Sequence, residues 1–179
     1  MLALAGNPNA PTDMLVELSR HDNGQVRERV AQHQYTPAQV HAALLTDPDP
    51  SVRLAAAAAT TMRWSEPPAD QALRAGYALN PYNSPEQALA ATRTITEARL
   101  LARLAIDPRT PAGAHQHLLD HPDPTVRASA LLNPHAYPHR LLTALPTARD
   151  PMRRQLLEHP NLPLTALARE ALEGRGARA

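Results

Sequence analysis

The stretch Asp47-Pro48-Asp49-Pro50-Ser51-Val52-Arg53 returns 74 residues later as His121-Pro122-Asp123-Pro124-Thr125-Val126-Arg127. That distance is close to three periods of about 25, and a fixed period between about 20 and 50 residues marks a stack of structural repeats. Val26-Arg27 and Met152-Arg153 open units in the same way, and Leu100-Leu101 opens one without the arginine. Near residue 74 the start is blurred. Seven units follow, at about 1–25, 26–51, 52–73, 74–99, 100–125, 126–151 and 152–179.

A second landmark lies several residues into each unit: Asn7-Pro8, His33-Gln34, Asn80-Pro81, Asp107-Pro108, Asn133-Pro134 and His159-Pro160. A helix start follows it at Thr36-Pro37, Ser84-Pro85 and Thr110-Pro111, with Pro11, Pro138 and Pro163 lacking the hydroxyl. A Ser or Thr cap satisfies an orphan N–H, and proline loses no bond at the first helical position. Counted from the proline, offsets three, four and seven hold Met14, Leu15 and Leu18 in unit one and Leu141, Leu142 and Leu145 in unit six, which is helical spacing. The reading predicts a longer helix of about ten residues from each proline and a shorter helix, α or 3-10, from each Val-Arg. Prolines end each piece because the residue before proline avoids the α region. Neither piece buries its apolar stripe alone, so stacking supplies the core. The fold class is all-α, one elongated domain over 1–173, with an atypical repeat at about 52–77 and a flexible tail over 174–179.

Composition narrows the chemistry. There is no Cys and no Phe, and aromatics are 3% of the chain, so the core is built from Ala, Leu, Val and Ile. Without cysteine there is no disulfide, zinc–thiolate site or iron–sulfur cluster. No apolar run is long enough to span a membrane, and no basic stretch precedes an apolar segment at the N-terminus, so a cytoplasmic location is expected. All 18 basic residues are arginine, which with the abundant Ala and Pro suggests a GC-rich, bacterial type of coding sequence. Residues 1–89 hold 6 Arg against 9 acids, and residues 90–179 hold 12 Arg against 8 acids, so one end is acidic and the other basic.

The succession Val-Arg, Ala, Asn-Pro, Thr-Pro, Leu-x-x-Leu, Asp-Pro-Asp-Pro, carried best by residues 26–51 and 100–134, resembles the leucine-rich repeat variant family. The resemblance implies a right-handed α-solenoid alternating α-helices with short 3-10 segments, related to HEAT and armadillo arrays. It covers nearly the whole chain and is weakest over 60–77, where Trp64-Ser65-Glu66-Pro67-Pro68 replaces the usual turn. Some members carry a cysteine-rich iron–sulfur module; the absence of Cys here excludes that cofactor. The family implies a scaffold and no defined reaction.

Arg27, Arg53, Arg127 and Arg153 share one repeat position, and Asp49, Asp123 and Asp150 precede three of them by three or four residues. These residues are expected to form a structural Asp–Arg ladder tying adjacent turns together through the planar guanidinium fork. His117 and His121 are four apart, as are His135 and His139, but His121 precedes Pro122 at a helix end, where the C-terminal dipole favours a cation, and His135 and His139 straddle Pro138, so no metal site is expected. His41 and His115 occupy the position held by Leu15, Leu89, Leu142 and Leu167 in other units, so each is read as a buried histidine with one hydrogen-bond partner. Units two and five, at about 10 Å per packed layer, are expected to stand roughly 30 Å apart, too far for a joint site.

The third and fourth residues of the Val-Arg helix differ in kind between units: Glu28 and Arg29, Gly76 and Tyr77, Ala102 and Arg103, Ala128 and Ser129, Arg154 and Gln155. Variable positions among matching repeats face solvent, and one such face is the binding surface of a stacked array. The binding candidates are therefore Arg29, Tyr77, Arg103, Ser129, Arg154 and Gln155, together with Arg63 and Trp64 of the atypical unit. No Gly-rich phosphate loop, Gly-x-Ser-x-Gly elbow or His-Glu-x-x-His is present, so no catalytic residue is assigned and an enzyme such as a HEAT-like DNA glycosylase ranks last. A non-catalytic scaffold for a protein partner ranks first. Nucleic-acid binding through the arginine-rich second half ranks next. The unit-one start Met1-Leu2-Ala3-Leu4-Ala5 lacks a polar cap, which points to weak self-association through an open end.

Overall fold

A computed structural model describes residues 1–59 and 63–168. The expected tail 174–179 lies outside them. Among the described residues the chain is all-helical. The elements in order are α1 (Leu2–Ala5), α2 (Thr12–Leu18), α3 (Gly24–Gln32), α4 (Ala38–Leu44), α5 (Pro50–Ala57), α6 (Gln71–Leu79), α7 (Pro85–Arg93), α8 (Ala98–Ile106), α9 (Ala112–Leu119), α10 (Pro124–Leu131), α11 (Pro138–Ala144), a 3-10 turn (Leu145–Thr147) and α12 (Met152–Leu157). No helix among them is long and apolar enough to cross a membrane.

Length does not separate the two classes: the unit-opening helices α3, α5, α6, α8, α10 and α12 have 6 to 9 residues, and the proline-led α2, α4, α7, α9 and α11 have 7 to 9. In α3, α5 and α10 the first turn begins before the Val-Arg pair, at a side-chain cap. Asn23 accepts from the Gln25 N–H, Asp49 from Ser51 and Asp123 from Thr125. The single 3-10 turn follows α11 instead.

The proline-led helices also depart from the expected caps. Only Ser84-Pro85 forms the anticipated arrangement, as a complete capping box with Gln87. Pro11, Pro37 and Pro111 are themselves the cap residues. The Thr36 and Thr110 hydroxyls turn back and donate to the Val30 and Leu104 carbonyls of the preceding helix. This one-residue shift decides the fate of offset four. With proline at the cap it is buried, as at Leu15, His41 and His115; with proline one step further in it turns outward, Leu89 being half-buried and Leu142 exposed, while offset three is buried in both kinds, as at Val40, Ala114, Ala88 and Leu141.

Helices α1, α3, α5, α6, α8 and α10 each pack on the next, forming one continuous row. The proline-led helices α2, α4, α7 and α9 are added behind that row, α7 and α9 also packing on each other, while α11 packs on the 3-10 turn that follows it. Among the described residues no backing helix lies between α5 and α6, and these two helices pack closely. Small residues permit this: Ala55, Ala57 and Ala58 on one side, Ala72, Ala75 and buried Gly76 on the other. Tyr77, expected at the surface, is 1% exposed in this joint, so it is no contact residue. Trp64 lies at this joint, donating from Nε1 to the Ala57 carbonyl at 3.2 Å and meeting the Tyr77 ring edge-on.

The Asn-Pro landmark forms a ladder of hydrogen bonds between units. Asn80 Nδ2 donates to the Ala57 and Ala59 carbonyls, and Asn133 Nδ2 to those of Ala105 and Asp107. His33 and His159 use Nε2 in the same way on the Asn7 and Asn133 carbonyls, at 2.9 and 2.8 Å. Each side chain also accepts the backbone N–H two residues on, at Tyr82, His135, Tyr35 and Asn161. Histidine therefore replaces asparagine here with one of its two cross-unit bonds and the same local acceptor role.

Candidate functional site

The repeated arginines do not pair with the aspartates expected of them. Asp49 and Asp123 act as helix caps, accepting the N–H groups two residues on, and neither forms an ion pair with an arginine among the described residues. Asp150 is exposed and makes no ion pair among the described residues. Each arginine instead fastens the loop before its own helix. Arg27 donates to the His21 and Asp22 carbonyls, Arg53 to Asp47 and Pro48, and Arg127 to His121 and Pro122. Arg153 donates to the Leu145 carbonyl. Arg74 does the same with Pro68 and Ala69, so Leu73-Arg74 is the missing unit opening. Its signal is legible as Leu-Arg in place of Val-Arg.

Ties from the start of one row helix to the loop before the next come from other acids. Arg27 grips Asp47 with both prongs of its fork, and Arg53 reaches Asp70 at 3.2 Å. Asp47 is buried; that burial opposes its charge, but the bonds from Arg27 and the Asp49 N–H outweigh it and hold the carboxyl below the usual range.

His41 and His115 are buried as expected, and Nε2 of each bonds a carbonyl, Ala31 at 3.0 Å and Ala130 at 2.9 Å. The expected separation of units two and five is wrong, however. Glu28 on α3 forms an ion pair with Arg103 on α8, 75 residues away in the chain. The row therefore turns back on itself, and its two arms, one holding α3 and the other α8, meet at this pair. A cleft of about 440 Å³ lies at this meeting, lined by His33 and His41 from one arm and Asp107 and Arg109 from the other. His115 is not part of it.

Two more hollows flank the Glu28–Arg103 pair. One, of about 470 Å³, is lined by Leu2, Gln25, Glu28, Arg29 and Gln32. The other, of about 480 Å³, is lined by residues of α8 and α10 that include Arg99, Arg103, Ile106 and Ser129. Gln32 lines both the His41 cleft and the first of these hollows, and the Glu28–Arg103 pair stands between the first and the second, so the three adjoin and make up the groove.

Of the binding candidates, Arg29, Arg103 and Ser129 thus come together. Arg154 and Gln155 are exposed on α12, outside these hollows. Arg63 lies over the Tyr82 ring at 3.2 Å from its centroid, near Trp64 and away from the groove. Arg99, Gln25, Gln32 and Ile106 were missed. Nothing in a single repeat singles them out, because the groove arises where distant units approach.

No protein-family model, curated protein or solved structure matches this chain. Among the described residues no cluster of three His, Asp or Glu is placed to hold a metal ion. The exposed Met1 and Leu4 line a separate hollow of about 660 Å³ with Met14 and Val16, where end-to-end association is expected.

Proposed function

We propose that this chain is a non-catalytic scaffold of the leucine-rich repeat variant type, an α-solenoid of about seven repeats that binds a segment of a protein partner in the groove between its arms. The observation that carries this reading is the Glu28–Arg103 contact, which gathers Arg29, Arg103 and Ser129 from three helices onto one concave surface. A groove built of exposed side chains on rigid helices suits an extended or helical segment. Its lining mixes alanine and isoleucine with arginine and glutamine, a polar rim around small apolar patches.

The nucleic-acid reading is weakened by what the arginines already do. Arg103, Arg109 and Arg140 hold carboxylates, and Arg127 and Arg153 hold backbone carbonyls. Fewer guanidinium groups are left for phosphate.

A displayed peptide library selected on the full chain tests the proposal. Selected peptides are expected to bind the wild type and to lose at least about tenfold on Arg29→Glu, a change of about 1.4 kcal/mol. A labelled DNA duplex titrated at low and physiological salt is the counter-test. Tight binding that falls steeply with salt would replace the scaffold reading with the nucleic-acid one.

A further inference from the structure

The groove has an uneven charge that names its ligand. Arg29, Arg99 and Arg103 line the two hollows, and the acid among the lining residues is Glu28. Glu28 is taken up by Arg103, with Gln32 donating to the same carboxylate oxygen at 3.3 Å. Arg29 and Arg99 are both exposed, and neither has an acidic partner among the described residues. Between the cations lies an apolar strip: Ala98, Ala102 and Ile106, the last 46% exposed, with Leu2 at the far end. Unpaired guanidinium groups beside exposed aliphatic surface complement a segment carrying carboxylates and aliphatic side chains.

We propose that the groove docks an acidic, aliphatic peptide segment, whose carboxylates take Arg29, Arg99 and Arg103 and whose apolar side chains cover Ile106 and Ala102. The inference rests on the scaffold reading and gives the partner its chemistry. Glu28 is the built-in competitor. It holds Arg103 in the empty groove and is displaced when the segment's own carboxylate arrives. The pair is only partly shielded, with side chains 35% and 17% exposed, so the exchange swaps one solvated ion pair for another at small cost. The outcome is a site that discriminates by charge. A neutral segment leaves Arg103 with Glu28 and loses the other two pairs, and a basic one meets repulsion.

Three displayed peptide pools separate the possibilities: one charged only with Glu and Asp, one uncharged, and one charged only with Lys and Arg. Each is selected on the full chain, and the winners are measured by fluorescence anisotropy. The acidic pool is expected to yield binders at least about tenfold tighter than the others, weakening as salt rises. Arg99→Gln, an exposed site with no internal partner, should weaken them about three- to tenfold with an unchanged melting temperature, and Glu28→Gln should tighten them about three- to tenfold. Binders drawn equally from the neutral pool, or indifferent to Arg99→Gln, overturn the acidic assignment and leave the scaffold reading standing. Unchanged affinity on Glu28→Gln overturns the role of Glu28 as competitor. Pools that yield no binder at all overturn both readings, as does a duplex that binds in their place.

Discussion

Gly76 on α6 lies so close to Leu54 on α5 that a methyl group at Gly76 would sit 2.3 Å from the Leu54 carbonyl oxygen. The same methyl would be 2.5 Å from Ala57 Cβ and 3.0 Å from the Ala58 nitrogen. Two of these three contacts are backbone, which cannot swing aside. The helices would have to separate.

Gly76→Ala should therefore cost about 3 kcal/mol, the upper range for overpacking a tight core. Trp64 is the single tryptophan and stands at this joint, so its emission during thermal unfolding reports the loss directly. A melting temperature unchanged within a degree would show that α5 and α6 are not in van der Waals contact.

The Arg27–Asp47 and Arg53–Asp70 pairs occupy matching places but differ in exposure. The side chains of the first are 13% and 5% exposed, and those of the second 21% and 39%. Removing the buried carboxylate by Asp47→Ala strands a shielded guanidinium and should cost about 2–4 kcal/mol. Asp70→Asn removes the wetter ion pair and should cost under about 1 kcal/mol. Urea melts of the two variants check the order. Equal losses would mean that the carbonyl contacts of Arg27 and Arg53, and not their carboxylates, hold the units.

His41 gives the fold an acid-sensitive point. Burial is the main influence on its ring, only partly offset by the bond to the Ala31 carbonyl, and its pKa is held below the ordinary imidazole value. The charged groups across its cleft, Asp107 and Arg109, are paired with each other. The unfolded chain then binds the proton more readily than the folded one. Stability from this group is complete above the unfolded value of about 6.5 and is lost as pH falls below it. Melting temperatures recorded between about pH 5 and 8 should be flat above that value and decline beneath it. His41→Leu, the residue type at the matching Leu15, should flatten the acid limb. An unaltered limb would place the sensitivity elsewhere.

The landmark ladder makes a sharper forecast. Because His159 bonds across units as Asn133 does, His159→Asn should keep most of the stability, within about 1 kcal/mol. Asn133→Ala leaves the Ala105 and Asp107 carbonyls without their donor and should cost about 2–4 kcal/mol, two bonds being lost at once. Calorimetry on both variants decides. A large loss on His159→Asn would mean that ring packing, not the shared bond pattern, fixes histidine there.

What could be read from the chain was local. Helix starts and stops followed from Asp-Pro, Asn-Pro and Thr-Pro pairs, because capping and proline sterics act within a few residues. The burial of His41 and His115 followed from comparing units. The arginine position was also legible, though its partners were not: Asp49 and Asp123 were read as ion-pair acids, whereas the N–H groups two residues on claim them first.

By itself, then, the sequence determined an all-helical chain, the places where its helices break, and which positions repeat. Tertiary structure alone decided that α5 packs closely on α6, that Tyr77 and Gly76 go inside, and that Glu28 meets Arg103. The reason is geometric. Caps and breaks depend on neighbouring residues, whereas the meeting of two arms depends on small inter-helix angles accumulated over every crossing between them.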